Sequence, residues 1–155
     1  MIIIHPWARK LRNGSPNPKC PPVEWWKNLI KLIPYNHKIV QIGQSGEELL
    51  VPDYHLDLKI KDLKELARSC DTWISIDSFF QHLAWMEGKK GIVIFSVSDP
   101  DIFGHNTNIN LLKSRNKLRP HQFQTWEEYP YDSTAFVTPE IVADSLRKLL
   151  NNINK

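Results

Sequence analysis

The 155-residue sequence predicts an α/β fold: a Rossmann-like parallel sheet with helices on both faces. Three observations carry this reading. Gly91-Ile-Val-Ile-Phe-Ser96 is a nearly unbroken apolar run, as in a strand covered on both faces. Thr72-Trp-Ile-Ser-Ile76 is a second β-rich run, and between the two lies a helical stretch with apolar Phe79, Phe80, Leu83, Ala84 and Met86. Strands also alternate with helices along the chain, the pattern of parallel β-α-β units.

Taken in order, Ile2-Ile-Ile4 is a short β-branched run and a buried strand candidate, stopped by His5-Pro6. A basic loop punctuated by glycine and proline follows to Lys19. Pro22 suits the first position of a helix whose Val23, Trp26, Leu29, Ile30 and Ile33 recur at helical spacing, and Pro34 ends it. Lys38 to Gly43 reads as a buried strand, Gln44 to Glu48 as the loop at its carboxyl end, and His55 to Leu58 as a short strand. Ile60, Leu63, Leu66 and Ala67 mark the next helix. After the central strand–helix–strand stretch, residues 98–108 read as a loop rich in turn formers and Ile109–Leu112 as a short edge strand. Residues 115–131 read as irregular, with aromatic anchors Phe123, Trp126 and Tyr129. Thr138-Pro139 opens a last helix striped with Ile141, Val142, Leu146, Leu149, Leu150 and Ile153. Residues 1–155 form one domain on this reading.

Composition narrows the function classes. A net charge of +3 permits acidic partners without demanding nucleic acid, and no recognition motif accompanies the run Lys113, Arg115, Lys117, Arg119, which reads as a solvated edge. No apolar run approaches a membrane span. The segment Met1 to His5 is too short for a signal peptide. Two distant cysteines, Cys20 and Cys70, point to reduced thiols and a cytoplasmic protein. Six scattered histidines show no ligand spacing, so no metal is expected, and nothing calls for a cofactor.

The chemistry concentrates at Asp77-Ser78. Either side chain can cap the helix that follows, and a helix N-terminus at the carboxyl end of a parallel strand is where unpaired amides and the helix dipole hold anions. Gly88 suits the stop of that helix. Here the residues resemble a known pattern. Cys70 to Trp85, with Asp77, Ser78, His82, Leu83 and Ala84 in register, is similar to the donor-binding signature of heptosyltransferase-like enzymes, glycosyltransferase family nine, which have the two-lobed GT-B fold. Phe79 stands where the family usually has glycine, and Phe95-Ser96-Val97 lacks the glycine that follows the family's next strand. Lys19-Cys20-Pro21-Pro22 resembles a Lys-x-Trp-Pro motif with Pro21 in place of tryptophan. Gly43 followed by Glu47 or Glu48 resembles the strand whose trailing loop meets a ribose. The resemblance covers most of the chain and only the second, donor lobe of the family.

What it implies is a site for a nucleotide or nucleotide-sugar, with adenine as the base. The ligand-binding candidates are Asp77, Ser78, Phe79, Phe80, His82, Arg9, Lys10, Lys19, Gln44 and Glu47. Ser78 and the amides of Phe79 and Phe80 would face the diphosphate, and the aspartate would face the sugar. Of the two phenylalanines, one is expected in the core and one at the site, where it could stack on a base. His82, one turn into the helix beside Ser78, either donates to a phosphate or is a structural histidine. Arg9, Lys10, Arg12 and Lys19, in the loop after the first strand, either neutralise the anion or are simply solvated, and at Lys19 the motif match favours the anion. Glu47 or Glu48 would accept from ribose hydroxyls, or simply start a helix. The expected function is capture of the ligand without catalysis, as in a sequestering or sensing protein. The alternative is a donor-lobe subunit of a glycosyltransferase, with the acceptor lobe on another chain. Self-association, or a partner chain closing over the cleft, is expected in either case.

Overall fold

The computed structural model describes residues 1–124 and 129–153. Six parallel strands form one sheet: β1 (Ile2–His5), β2 (Ile39–Gly43), β3 (Tyr54–Leu56), β4 (Thr72–Ile76), β5 (Ile92–Phe95) and β6 (Ile109–Leu112), in the order β3-β2-β1-β4-β5-β6. All five neighbouring pairs are parallel. The helices are α1 (Val23–Leu32), α2 (Ile60–Ser69), α3 (Phe79–Met86), α4 (Pro100–Phe103) and α5 (Pro139–Ile153). This is the Rossmann-like architecture that the alternating pattern predicts. No described helix is long and apolar enough to cross a membrane.

Alternation along each strand divides the core in two. Ile2, Ile4, Ile74, Ile76, Ile92 and Ile94 point to one face, where Trp26 and Leu29 of α1 and Val142, Leu146 and Leu150 of α5 cover them. Ile3, Trp73, Val93 and Phe95 point to the other, packed by Ala67 of α2 and Phe80, Leu83 and Ala84 of α3. Gly91 is where the second face is tightest. A Cβ there would lie 2.2 Å from Cδ2 of Trp73, and that indole is buried and tied by Nε1–H to the Lys89 carbonyl at 3.0 Å. Gly91→Ala is therefore expected to cost about 2–3 kcal/mol through overpacking, read as a lower urea midpoint at unchanged slope.

Two segments differ from the sequence reading. The third strand ends at Leu56 rather than Leu58, because Asp57 takes the left-handed region, φ 55°. Its carboxylate receives the Ser45 amide at 3.1 Å and the Ser45 hydroxyl, which repays that conformation locally. Residues 98–108 are not all loop: Asp99 accepts from the Asp101 amide, Pro100 supplies the first helical φ, and one short turn, α4, forms. The start of α5 at Pro139 and the stop of α3 before Gly88, φ 73°, follow the sequence signals. Trp126 lies outside the described residues.

The strand order reverses direction between β1 and β4. Neighbouring crossovers leave that gap in opposite directions, so a crevice opens above the carboxyl ends of those two strands. His5 ends β1 and Asp77-Ser78 follow β4, which places them at this crevice.

Candidate functional site

Ser78 occupies the N-cap position of α3, with extended φ and ψ of −155° and 176°. The expectation that Asp77 or Ser78 caps this helix is corrected: no side-chain cap bond forms. The reason is competition. The Ser78 Oγ lies 2.8 Å from His5 Nδ1 and 3.2 Å from Ser75 Oγ. Asp77 is turned the other way, accepting from Gln81 Nε2 at 2.6 Å and pairing with Lys19 Nζ at 3.3 Å. The first amides of α3 are thus left for solvent or for an anion.

Beside them lies a cavity of about 330 Å³, lined by Lys19, Asp77, Ser78, Phe79, His82, Phe103, Arg119, Gln122, Phe123 and Gln124. Its charged members are Lys19, Asp77 and Arg119. Arg119 was expected on a solvated edge, and the structure corrects this: it is 5% exposed. Its guanidinium donates to the carbonyls of Gln124 at 2.6 Å and Gln122, and its amide donates to Val97 O at 2.9 Å. Burial pulls its pKa down and the Asp77 carboxylate opposes that; guanidinium remains a cation at neutral pH regardless. Nothing in the local spacing separates Arg119 from Lys113, Arg115 and Lys117. Only the return of the 119–124 segment over the sheet edge buries it.

His82 also lines this cavity, but its Nδ1 is 2.8 Å from His105 Nε2, and the His105 ring stacks on Trp85 at 4.1 Å. Burial, then the neighbouring His82, lowers the His105 pKa. Phe80 is core, its ring edge-on to Trp73, whereas Phe79 is 58% exposed. Phe79 also lines a second cavity, of about 250 Å³, together with His5, Gly43, Gln44, His55, Asp57, Leu58, Ile60 and Phe80. A third, of about 410 Å³ and mostly apolar, holds Trp7, Lys10, Cys20, Glu47, Glu48 and Tyr131.

The predicted candidates therefore separate. Lys19, Asp77, Ser78, Phe79 and His82 meet around one cavity. Gln44 is at the second and Lys10 and Glu47 are at the third, whereas Arg9 is exposed and lines none of the three. The Glu47 carboxylate folds back to accept from the Gln44 amide at 2.9 Å, a position open only because residue 43 has no Cβ. Partial burial raises its pKa. Cys20 and Cys70 are free thiols, pushed up to about 11 by burial. Among the described residues no group of three or more His, Cys, Asp or Glu side chains could hold a metal ion.

No protein-family model matches the chain, and no curated protein does. Solved structures do. The glycosyl transferase family 9 protein from Veillonella parvula matches at TM-score 0.70 and 16% identity, covering 98% of this chain and 46% of that one. The ADP-heptose LPS heptosyltransferase II of E. coli matches at TM-score 0.72 and 16% identity, covering 99% and 47%. The E. coli heptosyltransferase WaaC, solved with ADP, matches at TM-score 0.66 and 13% identity, covering 95% and 43%. The chain spans a little under half the length of each. Its fold is that of one half of a family-nine glycosyltransferase of the heptosyltransferase type.

Proposed function

We propose that this chain binds a nucleotide or nucleotide-sugar through its diphosphate, in the cavity framed by Lys19, Arg119 and the open end of α3. The observation that supports this most is the convergence of two cations, Lys19 and Arg119, on the cavity beside the uncapped α3 amides, at the crevice between β1 and β4. The adjoining cavity of about 250 Å³ has room for a nucleobase, with Ile42, Leu58, Ile60 and Leu63 for its faces and His5, Gln44, His55 and Asp57 as polar groups. A fold relative solved with ADP makes ADP the first ligand to try.

We read the function as capture rather than transfer. The carboxylate lining the anion cavity, Asp77, is held between Lys19 and Gln81, so it is a structural counter-charge rather than a free base. Calorimetry with ADP is expected to show one-to-one binding with the nucleotide recovered unchanged; no heat at millimolar ADP sinks the proposal. Asp77→Asn keeps the shape and removes a negative charge beside the phosphates, so ADP is expected to bind about three- to ten-fold tighter. The donor-half reading predicts instead that sugar transfer appears on adding a separate acceptor half, and that Asp77→Ala abolishes it. Native mass spectrometry of the purified protein would report a retained nucleotide. The same spectrum would show whether a second copy covers Phe79 and Phe123, which are exposed at the rim.

A further inference from the structure

Four short contacts link His5, Ser78, Ser75 and the Ile76 carbonyl. The Ser75 hydroxyl lies 2.8 Å from Ile76 O, the two serine oxygens are 3.2 Å apart, and His5 Nδ1 is 2.8 Å from Ser78 Oγ and 3.3 Å from Ser75 Oγ. A carbonyl only accepts, so the Ser75 proton belongs to Ile76 O, and Ser75 Oγ then accepts from its other neighbours. Ser78 gives its proton to Ser75 and must accept from His5. That requires a hydrogen on Nδ1. With this assignment all four contacts are donor-to-acceptor. The reverse tautomer makes Ser78 donate to Nδ1 and leaves bare nitrogen facing the Ser75 oxygen at 3.3 Å. It also sets Ser75 against either Ile76 O or Ser78 without a proton between them.

We infer that His5 is the Nδ1–H tautomer, and that its bare Nε2 is a hydrogen-bond acceptor presented to the cavity shared with Gly43, Gln44, Leu58 and Phe79, where it selects a ligand whose base carries an N–H donor. The second nitrogen has no hydrogen-bond partner among the described residues. One side of the ring is held against Phe80 at 5.7 Å and the Nδ1 edge against the serines, so the distal edge is what His5 contributes to the cavity it lines. Burial holds the pKa down to about 4, which keeps the ring neutral and Nε2 bare at neutral pH. The other titratable groups lining the cavity are Asp57, occupied by Ser45, and His55. An unpaired acceptor enclosed in this cavity discriminates by a full hydrogen bond. His5 thus acts at the base while ordering Ser78 beside the phosphates.

The inference rests on the nucleotide reading above, and the test separates the two. Long-range nitrogen–proton NMR correlations on the free protein report which imidazole nitrogen of His5 is protonated; a hydrogen on Nε2 and none on Nδ1 overturns the assignment whatever the protein binds. Calorimetry then compares ADP, purine riboside diphosphate, which has hydrogen in place of the exocyclic amine, and pyrophosphate. The wild-type protein is expected to prefer ADP by about ten-fold, the worth of one such hydrogen bond. In His5→Phe, which keeps ring size and the packing on Phe80, the ratio of the two nucleotide affinities should fall to about one, a ratio that any change at the phosphates through Ser78 leaves untouched because both nucleotides share it. His5→Gln, with an amide oxygen near the same edge, should restore part of the preference for ADP. Equal affinity for the two nucleotides in wild type overturns the selectivity but leaves nucleotide binding standing; failure of ADP and pyrophosphate alike overturns both.

Discussion

Lys19→Met is expected to weaken ADP binding by about 10- to 100-fold and to destabilise the ligand-free protein by about 3 kcal/mol. The two effects have different origins. An ammonium donating to a phosphate makes a charge-assisted hydrogen bond worth about 1.5–3 kcal/mol, which converts to that range of affinity. The stability loss comes from the other partner. The Asp77 side chain is 6% accessible and that of Lys19 is 18%. Removing the ammonium leaves a buried carboxylate with the Gln81 amide, and breaking a buried pair from one side typically costs about 3–5 kcal/mol. A double variant tells them apart: Lys19→Met with Asp77→Asn should recover most of the urea midpoint but bind ADP about 10- to 100-fold more weakly than Asp77→Asn alone. Equal ADP affinity in the double variant and in Asp77→Asn would mean that Lys19 supports the fold and never meets the phosphates.

Lowering the pH from 6.5 to 4 is expected to remove at most about 3 kcal/mol of stability through His5 alone. The unfolded imidazole titrates at its ordinary value, 6.5, and the native one is lowered to about 4 by burial. Between those values the unfolded chain binds a proton that the native ring refuses, so stability rises with pH across the window. The contribution is complete above pH 6.5, falls as pH drops towards 4, and changes no further below it. The size is the pKa difference at about 1.4 kcal/mol per unit. His105 adds to the same trend, its pKa also being lowered. Urea melts of wild type and His5→Gln at pH 7.5, 6, 5 and 4.5, values chosen to bracket about 6.5, check this: the variant should lose distinctly less than wild type. Parallel curves would show that the imidazole is not held neutral by the fold.

The sequence by itself was enough for the alternation of strands and helices, for the parallel sheet, and for the placing of Asp77-Ser78 between β4 and α3. These are local matters: an apolar run such as Ile92–Phe95 has few ways to be satisfied other than as a buried strand, and a helix begins where backbone amides lack partners. It was also enough to mark Lys19, which tertiary structure carries to within 3.3 Å of Asp77. What only the tertiary structure decided is who partners whom. Ser78 gave up capping because His5, 73 residues away in sequence, ends the neighbouring strand at hydrogen-bond distance. His82 met His105 rather than Ser78 because the loop after α4 passes over α3. Arg119, indistinguishable in the chain from the lysines and arginine before it, became a buried cation because its segment folds back and the carbonyls of Gln122 and Gln124 receive its guanidinium. Arg9, as basic as Lys19, stayed exposed and outside the three cavities, although its neighbours Ala8 and Lys10 line the third. Local free energy selects the elements, whereas a side chain's partner is set by which strand ends are neighbours, and that order, β1 beside β4, exists only once the sheet has formed.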